Sequence, residues 1–192
     1  MIQIRNSLSV DMIKIPNRYY EIGKYPITVL EYNKFLKDLN KYYDKFKENT
    51  PIVNISWYDA KNYCKWLSKK TNRIYRLPTK KEWKYACNLG QKSKWFFGND
   101  NKLIDKYAWT YENSKGKIYS VGAKLANPLG IYDMYGLVWE WCENWDEDWG
   151  EKKLLKGGSY DNNIRDTQIS VDFGDYPTIA SYNVGFRIVR VL

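Results

Sequence analysis

Residues 54–86 read NISWYDAKNYCKWLSKKTNRIYRLPTKKEWKYA, and this stretch opens the ordered set of motifs that determines the fold. It contains two helix starts, each with a serine or threonine followed three positions later by an acidic residue, which is the spacing of a capping box. The same pattern begins TVLEYNKFLKDLNKYYDKFK (28–47), so three amphipathic helices are predicted in this half of the chain. Gly90 is the predicted stop of the third helix. The capping pairs are Thr28 with Glu31, Ser56 with Asp59, and Thr79 with Glu82.

The rest of the chain has a different pattern. From residue 91 onward, Gly, Asn, Pro and Asp recur between short apolar or aromatic runs, and no helical period is present. Residues 12–27 also favour short strands. Helices followed by an irregular β region predict one α+β domain over residues 1–192. Short strands, antiparallel in the second half, are predicted at 52–56 (IVNIS), 118–122 (IYSVG), 138–142 (VWEWC), 154–160 (LLKGGSY) and 184–191 (VGFRIVRV).

Composition excludes several kinds of site. The chain has no histidine, which excludes a Ser-His-Asp triad and any metal site with imidazole ligands. The three cysteines form no CxxC motif, and we interpret them as buried thiols. They are Cys64, Cys87 and Cys142.

Composition also limits the location and the partners. No stretch reaches the roughly 20 apolar residues that span a bilayer, and the first residues, MIQIRNSLSV, lack the apolar centre of a secretory signal. We therefore expect a cytoplasmic protein with no membrane partner. The net charge is +9, but the lysines are scattered along helix faces and accompany no nucleic-acid motif, so nucleic acid is not an expected partner.

Three further motifs follow the first stretch in a fixed order: NPLGIYDMYGLVWEWCENW (127–145), KGGSY (156–160) and NVGFR (183–187). Together the four motifs resemble the formylglycine-generating-enzyme family, also called the sulfatase-modifying-factor family. The resemblance covers about residues 11–190. It implies a C-type-lectin-like fold with helices in the N-terminal half, irregular loops and a small antiparallel sheet.

The resemblance also tests for catalysis. The oxidases of this family use two cysteines after the GGSY motif and bind copper through their thiolates, which are soft ligands suited to Cu(I). Asn162 and Thr167 stand at those two positions here, so no copper and no catalytic residue are expected. A branch that needs a His-rich iron-binding bundle is excluded as a stand-alone activity by the lack of histidine. A tailoring or maturation enzyme without the cysteine pair, acting on a peptide or metabolite, stays open as the alternative.

Some members of the family bind calcium at the turn that reads YGLVWEW here. The predicted ligands are the backbone carbonyls of Tyr135, Gly136 and Val138 and the carboxylate of Glu140. Leu137 replaces the usual asparagine of this turn. The alternative is that Glu140 makes an ordinary buried hydrogen bond. Arg187 of the NVGFR motif is predicted to form a structural ion pair or to bind carbonyl groups.

The C-terminal segment predicts a binding surface. Residues 157–192 contain no lysine in a chain that has 24, and Gln168 and Asp172 stand where the family commonly has arginine. A matching framework around a divergent stretch is similar to the variable proteins of diversity-generating retroelements, although loss of catalysis followed by drift explains the same pattern. We therefore expect a protein or glycan ligand at residues 160–183, with the oligomeric state left open. The predicted ligand-binding residues are Tyr160, Asp161, Asn162, Asn163, Arg165, Asp172, Phe173, Asp175, Tyr176 and Tyr182, assisted by Trp139, Trp145 and Trp149.

Overall fold

A computed structural model of the chain describes residues 8–41, 48–145 and 150–192. Its helices and strands form the predicted α+β domain. The described α-helices are α1 (Val29–Asp38), α2 (Trp57–Thr71), α3 (Lys80–Asn88), α4 (Ile104–Tyr107) and α5 (Tyr111–Ser114), with 3-10 turns at Asn101–Leu103 and Ile164–Thr167.

The three capping boxes are confirmed. In each, the cap hydroxyl accepts a hydrogen bond from the backbone N–H of the acidic residue, whose carboxylate accepts one from the backbone N–H of the cap. The α1 helix ends at Asp38, well before residue 47, because Asn40 takes a left-handed conformation with φ 55°. Residues 42–47 of the predicted helix lie outside the described residues. The third helix stops before Gly90, as predicted.

Ten strands are described, and eight of them form two four-stranded sheets. The first sheet has the order β1-β2-β10-β3 and is antiparallel throughout. The second has the order β8-β7-β6-β9, in which β9 runs parallel to β6. The remaining two strands, β4 and β5, form a parallel pair. The strands are β1 (Met12–Lys14), β2 (Tyr20–Gly23), β3 (Tyr75–Arg76), β4 (Ala108–Trp109), β5 (Tyr135–Gly136), β6 (Trp139–Trp145), β7 (Lys153–Lys156), β8 (Phe173–Asp175), β9 (Val184–Gly185) and β10 (Val189–Val191).

Several strand predictions were wrong. Residues 118–122 form no strand, and residues 52–56 form none either, although Pro51 makes an isolated bridge with Thr28. The predicted strand 184–191 is divided between the two sheets, because the chain leaves one sheet after Gly185 and enters the other at Val189. Two strand pairings are parallel, and short helices occur after residue 91. These outcomes depend on contacts between distant residues, which the local pattern does not carry.

The second sheet has a hydrophobic core on each face. Trp141 and Leu155 belong to a cluster with α1 and α2, whereas the adjacent Cys142 and Leu154 belong to a cluster with Trp83 of α3. This division follows from the alternation of side chains along a strand. Trp83, Trp139 and Trp141 are buried, whereas Trp57 is only partly buried. Within the described residues, no helix combines the length and apolar character needed to cross a membrane.

Candidate functional site

A groove of about 470 Å³ opens beside β8 and β9, at the C-terminal segment. Five of the predicted ligand-binding residues line it. They are Asn162, Asp172, Phe173, Asp175 and Tyr182. Trp139, which was predicted to assist them, also lines the groove. The other lining residues are Asp166, Val171, Ser181, Asn183 and Val184. In the sheet, β7 and β6 lie between β8 and β9, and the groove takes Phe173 and Asp175 from β8, Trp139 from β6 and Val184 from β9.

One side of the groove is an aromatic pair. Trp139 is only 5% exposed, and its ring stacks on Phe173 with centroids 5.5 Å apart. The indole Nε1 of Trp139 donates a hydrogen bond to Asn162 Oδ1 at 2.8 Å. Phe173 itself is 50% exposed, so the fixed indole supports a ring that solvent or a ligand can reach.

The part of the groove around Tyr182 is held by a chain of hydrogen bonds. The Tyr182 hydroxyl donates to Asp161 Oδ2 at 2.5 Å, and this bond raises the pKa of Tyr182. The Asn183 amide donates to Ser159 Oγ at 3.2 Å, and that hydroxyl donates to Asn162 Oδ1. These contacts tie the turn after β7 to the segment that leads into β9, so this wall is preformed.

A buried lysine fixes the loop that leads into β8, residues 169–172. Lys156 is fully buried, and its ammonium donates to the carbonyls of Ile169, at 2.9 Å, and Val171. It also bonds Asp172 Oδ1 at 2.8 Å, while Lys80 pairs with the other carboxylate oxygen. Burial lowers the pKa of Lys156. Burial opposes ionisation of Asp172, but hydrogen bonds from the two ammonium groups lower its pKa overall. The negative charge of Asp172 is therefore balanced by two lysines of the protein, and its carboxylate belongs to the groove wall.

The other predicted ligand-binding residues lie elsewhere. Asn163 and Arg165 line a separate cleft of about 680 Å³ with Trp95, Asp100 and Glu112, so they do not face the groove. Asp161 reaches it only through Tyr182.

Tyr160 is half-buried, and its backbone bonds Leu137 and Ser114. Tyr176 is 48% exposed and lies 5.4 Å from the Lys152 ammonium. Neither lines the groove.

Trp145 is half-exposed and stacks on the Lys153 ammonium, 3.5 Å from the ring centroid. Trp57 covers the same ammonium at 4.2 Å. The two rings therefore hold a cation from the chain itself, apart from the groove. Trp149 lies outside the described residues.

Sequence reasoning missed several lining residues. Asn183 belongs to the NVGFR motif that identified the fold, and this membership was the available signal. Asp166 and Ser181 lie within the predicted 160–183 segment, but no local signal singles them out, because their positions in the groove depend on how the 3-10 turn and the loop after β8 fold.

The positions of the absent cysteine pair are occupied by hydrogen-bonded side chains. Thr167 is buried, and its hydroxyl accepts from Trp95 Nε1 at 3.0 Å and donates to Ile164 O. Asn162 accepts from Trp139, as described above. Burial raises the pKa of the Cys64 and Cys87 thiols to about 12 and also raises that of Cys142, so none is a thiolate at neutral pH. In the described ranges, no three Cys, Asp or Glu side chains gather as a metal site.

Glu140 at the predicted calcium turn is fully buried and bound by protein donors. Arg187 Nε and Nη2 donate to its two carboxylate oxygens at 2.6 and 2.7 Å, and Trp83 Nε1 donates at 2.6 Å. The ion pair expected of Arg187 is confirmed. Calcium at the carbonyls of Tyr135, Gly136 and Val138 and the Glu140 carboxylate stays a prediction.

Comparisons with known proteins agree with this architecture. A family model described as "Sulfatase-modifying factor enzyme 1-like domain" matches residues 6–192. The chain is 29% identical to "Chaperone protein LppX" of Paenibacillus barcinonensis, over 89% of this chain and 80% of that protein. It is 30% identical to "Inactive C-alpha-formylglycine-generating enzyme 2" of Bos taurus, over 71% of this chain and 49% of that protein. The chain thus spans about half the length of this mammalian relative. The structure titled "Treponema denticola variable protein 1" superposes with a TM-score of 0.81 at 21% identity, covering 96% of this chain and 92% of that one.

Proposed function

The chain belongs to the sulfatase-modifying factor enzyme 1-like domain family, and from that premise we propose that it is a non-catalytic domain that binds a protein or glycan ligand in the groove. The observation that carries the proposal is the groove itself. Its walls come from the segment that departs from the family pattern, and half-exposed Phe173 and Tyr182 flank it. Exposed aromatic and polar side chains on a rigid support are typical of binding surfaces.

The chemistry at the family's cysteine positions supports binding over oxidation. Asn162 and Thr167 provide no thiolate, and both are engaged in the hydrogen bonds that shape the site. The three thiols elsewhere are buried and protonated at neutral pH. Copper-dependent oxidation of a thiol peptide that persists after serine replaces Cys64, Cys87 and Cys142 would overturn the proposal in favour of an enzyme.

The likeness to a variable protein favours a binding domain whose groove sequence is diversified. The DNA sequence around the gene tests this form of the proposal. The groove draws ten of its eleven lining residues from positions 162–184. A reverse-transcriptase gene nearby, with an imperfect repeat of the sequence coding for residues 160–190, would support a diversified binder. A neighbouring sulfatase or biosynthetic cluster without a repeat would favour the alternative, a maturation or tailoring role.

The binding test replaces the two half-exposed aromatic residues of the groove, Phe173 and Tyr182, in one variant. The F173A/Y182A variant and a control, Y19A/Y58A, are compared with the wild-type chain on a glycan array and a displayed random-peptide library. Tyr19 and Tyr58 are exposed and do not line the groove. We expect ligands that bind the wild type and the control but not F173A/Y182A. Binding that is equal in all three proteins would refute the groove as the site.

A further inference from the structure

We infer that the groove accepts a cationic side chain, the guanidinium or ammonium group of an arginine or lysine in a polypeptide ligand. This inference rests on the proposed binding function of the same groove. It specifies the chemistry that the walls recognise, and it therefore selects a polypeptide over a neutral glycan.

The charge of the groove differs in sign from the charge of the chain. The chain has a net charge of +9, yet three aspartates and no lysine or arginine line the groove. Asp172 is neutralised by Lys80 and Lys156. In the part of the chain that the structure describes, Asp166 and Asp175 form no ion pair. Two uncompensated carboxylates therefore face a cavity on a basic protein, and a cation that enters it gains attraction from both.

The aromatic walls suit the same ligand and are independent of the carboxylates. Phe173 and Tyr182 are each half-exposed within the lining, and Trp139 supports Phe173 from below. A guanidinium or ammonium group over such a ring is attracted by its π electrons. The alkyl part of the arginine or lysine side chain would cover the apolar ring area that a small inorganic cation would leave in water.

Three hydrogen-bond donors of the groove lining are already used within the protein. The hydroxyl of Tyr182 donates to Asp161, the amide of Asn183 donates to Ser159, and the indole of Trp139 donates to Asn162. The carboxylates supply only acceptors when ionised. A ligand that brings donors fits this arrangement, and guanidinium brings five. An anionic ligand would meet aspartates instead.

The experiment uses a positional-scanning library of capped hexapeptides with the full chain, alongside a glycan array. We expect selected peptides to share arginine or lysine at one position, and binding to fall by about tenfold or more when citrulline or norleucine replaces that residue. The D166N/D175N variant should lose binding to a similar extent. Its control, D11N/E48Q, removes two exposed charges outside the groove and should bind as wild type does. Thermal melting verifies that both variants fold.

The outcomes separate this inference from the binding proposal. If ligands without a cation, or glycans, bind the wild type, are lost in F173A/Y182A and are kept in D166N/D175N, the inference is wrong and the binding function stands. If no peptide or glycan depends on Phe173 and Tyr182, both are wrong. Selective loss of basic peptides in D166N/D175N, with the control unaffected, supports both.

Discussion

Tyr176 and Tyr182 each leave about half of their surface in water, at 48% and 55% exposure. Alanine at both positions removes little buried apolar area, so we expect the free energy of unfolding to change by less than about 1 kcal/mol. Thermal melting checks this. A large fall in melting temperature would identify the two rings as core residues and remove Tyr182 from the binding surface.

Asp133 is a buried carboxyl whose pKa burial raises to about 6, against a hydrogen bond from the Gly122 N–H that lowers it. The folded state therefore holds this proton more tightly than the unfolded state does. The contribution of Asp133 to the free energy of unfolding is constant below about pH 4 and falls as the pH rises from about 4 to 6. Above about pH 6 it is constant again.

The variant D133N removes this titration while keeping an oxygen for Gly122. We expect the stability of the wild type relative to D133N to fall by up to about 3 kcal/mol between pH 4 and 6. Urea unfolding of both proteins at several pH values measures the difference. Parallel curves for the two proteins would show that Asp133 does not titrate in this range.

Lys156 positions a groove wall through one ammonium group. Its bonds to Ile169, Val171 and Asp172 are the ties that hold this loop to β7. In K156M a side chain of similar length fills the space without these bonds. We expect backbone amides in 169–172 to exchange hydrogen at least about tenfold faster, because the opening of the loop costs less free energy.

The control for K156M lies in the same molecule. Amides of β2, in the other sheet, should keep their wild-type exchange rates. Faster exchange throughout the chain would instead indicate general destabilisation, and unchanged exchange in 169–172 would contradict the positioning role.

At the scale of elements, the start of α3 shows how much a local motif contributes. The Thr79 hydroxyl accepts from Glu82 N–H, and this helix carries Trp83 to the Glu140 carboxylate. We expect T79A to lose about 1 kcal/mol of unfolding free energy and T79S to lose much less. Urea unfolding of the three proteins measures this, and equal stability of T79A and wild type would show that the cap is dispensable.

The starts of the three longest helices were predictable because their signals lie within four residues. Capping boxes and Gly90 placed the start of each of the three predicted helices and the end of the third. Strands were less predictable. The segment 173–175 carried no strand prediction, yet it forms the edge of the second sheet because Leu155 and Lys153 lie opposite it.

At the scale of the whole molecule, Arg187 connects the two four-stranded sheets. Its guanidinium bonds Glu140 of β6 in one sheet and the carbonyl of Gly23, at 3.0 Å, in the other. The chain crosses between the two sheets at this residue. The buried ion pair is therefore the polar centre that both sheets share.

Removing one member of this pair leaves the other charged and buried. We expect E140Q to lose about 3–5 kcal/mol of unfolding free energy. The control, E143Q, breaks the partly exposed pair with Lys61 and should lose no more than about 1 kcal/mol. Urea unfolding measures both, and similar small losses would mean that the Glu140 charge is not required by the fold.

The sequence by itself determined where the three longest helices begin, the order of the family motifs and the absence of a thiol pair at Asn162 and Thr167. It also determined five ligand-binding residues of the groove together with Trp139. Only the tertiary structure decided that Asn163 and Arg165 face a different cleft, that Asp166 and Ser181 join the groove, and that residues 184–191 divide between two sheets. Caps and periodicity act between neighbours in the chain, and they are therefore readable from it. A groove depends on packing between distant strands and loops, here fixed by Lys156 and Arg187, and those contacts exist only once the chain has folded.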